Sequence, residues 1–123
     1  MIFSNTLQTA NKMADYLWQK QTVTLDNIAN QDTPGFKAKF VTFEDELYNN
    51  LNYLGTNSKS RNREAIQDTR IRTHVKEDES YNLDGNGVNL DVEQAELAST
   101  QIQYQQTIQQ ISAEFAKLRV VIK

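Results

Sequence analysis

The chain has 123 residues, a formal net charge of −3, one histidine and no cysteine. This composition excludes disulfides and thiolate chemistry and leaves few acid–base or metal arrangements, so we expect no enzyme, cofactor or metal site. The negative charge disfavours nucleic acid as a partner. A mean hydropathy of −0.67 with 12 Asn, 12 Gln and only one Pro predicts long polar helices instead of an ordinary globular core.

The N-terminal third is predicted to be one long helix. No glycine or proline occurs before Pro34, which cannot donate a backbone hydrogen bond and disfavours helical geometry at Thr33. We therefore predict a helix over residues 5–30, within an N-terminal unit of a coiled-coil core, residues 1–33. Its apolar stripe, with steps of three and four, includes Leu7, Ala14, Leu17 and Ile28.

A compact turn is predicted where this helix ends. Pro34 fixes its own φ and Gly35 can supply the positive φ of a type II turn, while Asn30 and Asp32 can bond to local backbone. The candidate motif consists of Asn27, Ile28, Ala29, Asn30, Asp32, Thr33, Pro34, Gly35, Phe36 and Lys37.

The middle, residues 34–89, is predicted to be irregular. A short helix is expected over residues 43–54, followed by a charged stretch, 56–84, that stays mobile until a partner covers it. Within it, Ile71, Thr73 and Val75 alternate with polar residues, which predicts a short strand or hairpin.

Three features of the middle resemble binding sites without meeting the requirements. His74 has no acidic or nucleophilic partner at a recognisable spacing and is interpreted as a surface residue. Basic residues between 59 and 72 alternate with acidic ones and lack interleaved aromatics, so we interpret them as a solvated linker. Residues 84–91 begin like a calcium loop but lack its later ligands, which favours Asx turns leading to a helix cap.

The C-terminal unit, residues 90–123, is predicted to be a second long helix with Asp91 as its N-cap. Its apolar residues keep a heptad spacing, which is typical of a coiled coil. The residues of this seam are Leu97, Tyr104, Ile108, Ile111, Phe115, Leu118 and Ile122. The predicted fold is mainly α, with two long terminal helices pairing as an antiparallel coiled coil.

Residues 27–37 also resemble the N-terminal signature of the rod and hook family, the axial proteins of the bacterial flagellum. The match reads Asn-Ile-Ala-Asn, one residue, then Asp-Thr-Pro-Gly-Phe-Lys. The C-terminal heptad helix is similar to the family's second hallmark. The compact turn and the closing sequence, residues 115–122, are most similar to subunits of the proximal rod.

The resemblance implies a structural subunit that self-assembles through its terminal helices into a helical drive shaft around the export channel. Expected partners are other rod subunits, the basal-body adaptor protein, the flagellar type III export apparatus and copies of the same chain. Export without a cleaved signal peptide and a location in the basal body are also implied. No direct lipid-spanning segment is expected, because no apolar run near the start reaches the length of a spanning helix.

A second hypothesis fits the amphipathic ends without using the resemblance. A soluble coiled-coil adaptor or export chaperone could bind partner helices in the cytoplasm through the same apolar stripes. This hypothesis gives no role to the turn, residues 27–37.

Overall fold

Two long helices dominate the computed structural model, which describes residues 5–43, 47, 59–77 and 85–122, with residues 59–61 and 122 described for their backbone alone. Helix α1 spans Asn5–Ala29 and helix α3 spans Leu90–Ile122. They run antiparallel, since Asn27 near the end of α1 bonds to Glu93 near the start of α3. The predicted mainly α fold with two paired terminal helices is confirmed.

The ends of both helices follow local sequence signals. Helix α1 ends one residue before the predicted Asn30. Helix α3 begins one residue before Asp91, and the predicted cap is wrong by two positions. Asn89 is the cap: its Oδ1 accepts from the Val92 amide at 3.4 Å. Asp91 instead lies in the first turn, where a negative charge favours the helix dipole.

A two-stranded antiparallel sheet lies beside the helices. Strand β1 spans Lys39–Thr42 and strand β2 spans Arg72–Val75, with Val41 opposite Thr73 in the register. We call this sheet the hairpin, although a long connection joins its strands. The predicted strand around residues 71–75 is confirmed; its partner β1 was not predicted.

His74 lies on the outer side of this hairpin. Its ring stacks on Phe40, with centroids 5.0 Å apart, and its Nε2 lies 2.9 Å from the Thr42 hydroxyl. Both contacts are cross-strand contacts within the sheet, so His74 is half-buried and has a structural role that the sequence did not indicate.

The main apolar core forms where α1 meets the hairpin. Tyr16 and Phe43 pack with ring centroids 5.6 Å apart, and Leu17 and Val41 are buried beside them. The partly buried residues packed against this cluster are Met13, Val23, Leu47, Ile71 and Tyr104. The core therefore joins the middle of the chain to α1, and Tyr104 of α3 packs against it.

The middle also contains a short helix that was not predicted. Helix α2, Lys59–Asp68, buries Ala65 and Ile66. The predicted helix over 43–54 lies outside the described residues except for Phe43 and Leu47, where Leu47 N–H donates to Phe43 O at 2.8 Å.

Lys12 of α1 holds the end of α2. Its ammonium donates to Gln67 O at 2.6 Å and Thr69 O at 2.8 Å, which are carbonyls at the C-terminal end of that helix. Burial lowers the pKa of Lys12 below its ordinary value; Asp68 opposes this shift and Arg70 adds to it. The charged stretch is thus fixed to α1 at this point by a side chain that no sequence pattern indicated.

Candidate assembly site: the turn and the coiled-coil seam

The backbone between α1 and β1 closes in successive tight turns. Thr33 N–H donates to Asn30 O at 3.1 Å, and Phe36 N–H donates to Thr33 O at 3.2 Å. Gly35 has a φ of 72°, the value that position i+2 of a type II turn requires after a proline. The geometry of the turn is the one that the sequence predicts.

Asn27 latches this turn to the rest of the molecule. It is 1% exposed, and its amide exchanges two hydrogen bonds with Lys39: Nδ2 donates to Lys39 O at 2.8 Å, and Oδ1 accepts from Lys39 N at 3.0 Å. Nδ2 also donates to the Glu93 carboxylate at 3.1 Å. One side chain therefore joins α1, β1 and α3 at a single point.

Asn86 clamps the turn from the other side. It is fully buried, and its Nδ2 donates to Asn30 O at 2.9 Å and to Thr33 O at 2.6 Å. Its Oδ1 accepts from Val88 N at 2.8 Å, which is the predicted Asx turn. Sequence reasoning missed the clamp, because nothing local shows that Asn86 faces a turn more than 50 residues earlier in the chain.

Side-chain contacts inside the turn order its polar residues. Asn30 Nδ2 donates to Asp26 O at 2.8 Å, and Thr33 Oγ1 donates to Asn30 Oδ1 at 3.1 Å. Asp26 forms an ion pair with Lys39 at 3.4 Å. The motif residues that face solvent are Ala29, Asp32, Thr33, Pro34, Gly35 and Lys37, whereas Ile28, Asn30 and Phe36 are half-buried.

Two seam residues of α1, Leu7 and Leu17, line cavities between α1 and α3. Leu7 and Leu17 are 1% exposed, and Ala14 and Ile28 are half-buried. Trp18, which borders the seam, contacts Tyr104 with ring centroids 6.0 Å apart. Leu7 and Leu17 of the predicted stripe therefore face α3.

The seam residues of α3 divide into two rows. Leu97, Tyr104, Ile111 and Leu118 are half-buried against α1, whereas Ile108 and Phe115 are 40% and 43% exposed. The structure describes Ile122 only as the last residue of the helix. One row of the predicted heptad pattern therefore lies in the helix pair, and the row of Ile108 and Phe115 faces outward.

A row of polar residues on α3, and not the row of Ile108 and Phe115, is buried in the helix pair. Glu93, Thr100 and Thr107 are 7%, 0% and 8% exposed, and half-buried Glu114 continues the seven-residue spacing. Thr107 Oγ1 donates to Gln103 O at 2.8 Å, but within the described part of the chain the buried Thr100 hydroxyl has no hydrogen-bond partner. The sequence did not predict that these polar residues are buried in the helix pair, because the apolar row beside them gives the stronger heptad pattern.

The described residues hold neither a metal-binding cluster nor a membrane-spanning helix. Among them, no group of three His, Asp or Glu side chains could hold a metal ion. No helix in these ranges is long and apolar enough to cross a membrane. The organised features of the described residues are the latched turn and the coiled-coil seam, which place the chain in the class of mainly helical proteins built on a long antiparallel helix pair.

Comparisons with known proteins narrow this class. No protein-family model matches the chain. Flagellar basal body rod protein FlgB of Bacillus subtilis (strain 168) is 33% identical over 123 residues, covering 98% of this chain and 95% of the relative. FlgB of Borrelia hermsii is 32% identical over 136 residues, covering 99% and 98%. FlgB of Escherichia coli (strain K12) is 26% identical over 115 residues, covering 85% and 83%. The chain belongs to the family of flagellar basal body rod protein FlgB.

Proposed function

We propose that this chain is a structural subunit of the proximal rod of the flagellar basal body. In this role it assembles through its terminal helices into a helical drive shaft around the export channel. The observation that carries the proposal is the match, over nearly the full length of both chains, to relatives that are named as basal body rod proteins.

The helix pair supports this role because a shaft needs subunits that pack side by side. Helices of 25 and 33 residues give an elongated body. Ile108 and Phe115 continue the seam outside the pair, where a neighbouring helix could cover them. The heptad rows are therefore proposed as the assembly seam, met partly inside the subunit and partly by neighbours.

The latched turn supports the transmission of torque. Asn27 and Asn86 bind the turn to the hairpin, to α3 and to the segment before α3. A joint held by buried amide hydrogen bonds resists bending better than a solvated loop. We infer that residues 27–37 act as the structural joint between the coiled coil and the segment outside it.

The proposed partners follow from this location. They are other rod subunits, the basal-body adaptor protein, the flagellar type III export apparatus and further copies of the chain. The chain is proposed to leave the cytoplasm through that apparatus without a cleaved signal peptide and to act in the rod as a structural part, not as an enzyme.

Deleting the gene and purifying basal bodies tests the proposed role. Loss of motility and loss of the rod, both restored by a tagged copy that purifies with basal bodies, are expected. Normal motility with intact basal bodies would refute the role. A tagged chain found only in the cytosol would favour the coiled-coil adaptor or chaperone.

A double variant tests the seam separately. Ile111→Asp with Phe115→Asp places two carboxylates in the seam, where burial without a partner is unfavourable. Export should persist while incorporation into the rod is lost. Ser112→Asp with Ala116→Asp adds the same charge at exposed positions and should incorporate normally. Equal incorporation of the two variants would refute the seam assignment.

A further inference from the structure

The clamp residue Asn86 is followed by Gly87, and this is the one Asn-Gly pair in the sequence. In such a pair the backbone nitrogen of the glycine can reach the side-chain amide carbon of the asparagine, because glycine has no Cβ to hinder the approach. Every other asparagine of the chain precedes a larger residue. The most reactive asparagine of the sequence therefore lies in the segment before α3.

The reaction open to this pair is a deamidation, and its only co-reactant is water. The Gly87 nitrogen forms a bond to Cγ of Asn86, the bond between Cγ and Nδ2 breaks, and Nδ2 leaves as ammonia with the proton that the Gly87 nitrogen loses. The product is a cyclic succinimide. Water then opens the ring at either carbonyl and leaves aspartate or isoaspartate, so a carboxylate replaces a neutral amide.

The folded chain holds both reacting groups in other contacts. The Gly87 N–H donates to Phe36 O at 2.8 Å, so the proton that must leave is engaged in a hydrogen bond. The side chain of Asn86 is held at both ends, since Nδ2 donates to two carbonyls of the turn at 2.9 and 2.6 Å and Oδ1 accepts from Val88 N at 2.8 Å. Ring closure requires a near-attack geometry, which these contacts oppose.

A carboxylate at position 86 would reverse the contacts of the clamp. Nδ2 donates to Asn30 O and Thr33 O, and an oxygen in its place would be an acceptor that faces two acceptors. The new charge would also lie at a position with 0% exposure, and the three bonds of the clamp all go to uncharged backbone groups. Burial of a charge without a partner is unfavourable, so the product disfavours closure of the turn.

We propose that Asn86 is a deamidation site that the folded turn protects and that becomes reactive whenever the chain is unfolded. The loss of ammonia is irreversible, so a chain that has reacted no longer closes the clamp on the turn, residues 27–37. The site therefore limits how long an unfolded chain stays able to fold. This inference concerns the chemistry of the chain itself and does not rest on the proposed function.

Peptide mapping of the purified chain tests the protection. The chain is kept in mildly alkaline buffer, either folded or unfolded in guanidinium chloride, and tandem mass spectrometry follows the conversion of amide to acid. Asn89, which precedes Leu90, is the internal control on the same tryptic peptide. In denaturant, Asn86 should react much faster than Asn89. In the folded chain it should react at least about tenfold more slowly than in denaturant, since a closed site reacts through its open form.

Equal rates at Asn86 with and without denaturant would overturn the proposal. Equal rates at Asn86 and Asn89 in denaturant would overturn it as well, because the Gly87 nitrogen would then give no advantage.

A pair of variants tests the consequence of the modification. Asn86→Asp installs one product directly, whereas Asn89→Asp adds the same charge three residues away and keeps a good helix cap. Denaturant unfolding followed by circular dichroism should show a lower midpoint, or no folded state, for Asn86→Asp and a nearly unchanged midpoint for Asn89→Asp. Equal midpoints would contradict the proposed effect on the clamp.

Refolding of the parent chain gives a measurement that needs no variant. Chains partly deamidated in denaturant are diluted to refold, and the folded fraction is collected by size-exclusion chromatography. Acid at position 86 should be depleted in that fraction relative to the starting mixture. An undiminished share of acid at position 86 would show that the modified chain still folds and would overturn the proposal.

Discussion

The two flanks of the coiled coil differ in how much of their surface the chain itself uses. On the hairpin flank, Tyr16 and Phe43 are buried, and Asn27 bonds to β1 and α3. On the opposite flank, which we call the outer flank, Trp18 and Ile108 remain 58% and 40% exposed. The comparison shows that the apolar seam of α3 is wider than α1 covers, so that Ile108 and Phe115 stay exposed in the single subunit.

The seam between the flanks is also less apolar than its sequence suggests. Thr100 and Thr107 fill positions that face α1, while Ile108 and Phe115 lie one residue further around the helix and outside. A polar residue at such a position weakens a coiled coil and helps to fix its register. The polar row therefore weakens the pairing of α1 with α3 and helps to fix the register between the two helices.

The largest expected difference between the flanks comes from truncating apolar side chains. Leu17→Ala removes a side chain that is 1% exposed and should lower the free energy of unfolding by about 3 kcal/mol. Ile108→Ala, on the outer flank, should lower it by about 1 kcal/mol or less. Urea unfolding followed by circular dichroism measures both. Equal losses would show that α3 packs with its Ile108 row inward.

Breaking the latch should have the next largest effect. Asn27→Leu leaves Lys39 N–H, Lys39 O and the Glu93 carboxylate without this amide, at a loss of about 2 kcal/mol in the free energy of unfolding. Asn11→Leu, at an exposed position of the same helix, is the control and should change it by less than about 0.5 kcal/mol. Thermal unfolding compares the two variants, and matching midpoints would contradict the latch.

A smaller effect is expected at the tip of the turn. In Gly35→Ala, no atom lies within 4 Å of the added Cβ, so the only expected effect is backbone strain at a φ of 72°. This strain should lower the free energy of unfolding by about 1 kcal/mol. Gly35→Asn should lower the free energy of unfolding by less, because asparagine tolerates this conformation better than alanine does. Unfolding midpoints of the two variants test the order, and a reversed order would argue against the positive φ.

The smallest expected change is a gain within the seam. Thr100→Val removes a buried hydroxyl that has no partner in the described part of the chain and should raise the free energy of unfolding by up to about 1 kcal/mol. Thr107→Val removes a hydroxyl that donates to Gln103 O, so it should bring no such gain. A loss of stability in Thr100→Val would show that its hydroxyl is hydrogen-bonded.

Sequence signals predicted the elements that are long or locally encoded. Helix α1 lies within one residue of its predicted limits, and helix α3 begins two residues before the start that an Asp91 cap implies. Both helices were predicted because their periodicity and flanking breakers are local. Helix α2 was missed because its 10 residues are mostly polar and it is held by burial of Ala65 and by Lys12 of α1. Strand β1 is four residues long and exists through pairing with β2, which no local pattern shows.

The sequence by itself determined the two helices, the type II turn at Gly35 and the resemblance to flagellar axial proteins, since these depend on neighbouring residues. Tertiary structure alone decided that Asn27 and Asn86 hold the turn, since their partners lie 12 to 66 residues away. It also decided which heptad row of α3 faces α1. Adjacent rows on a helix differ by only part of a turn, and packing against α1 selects between them.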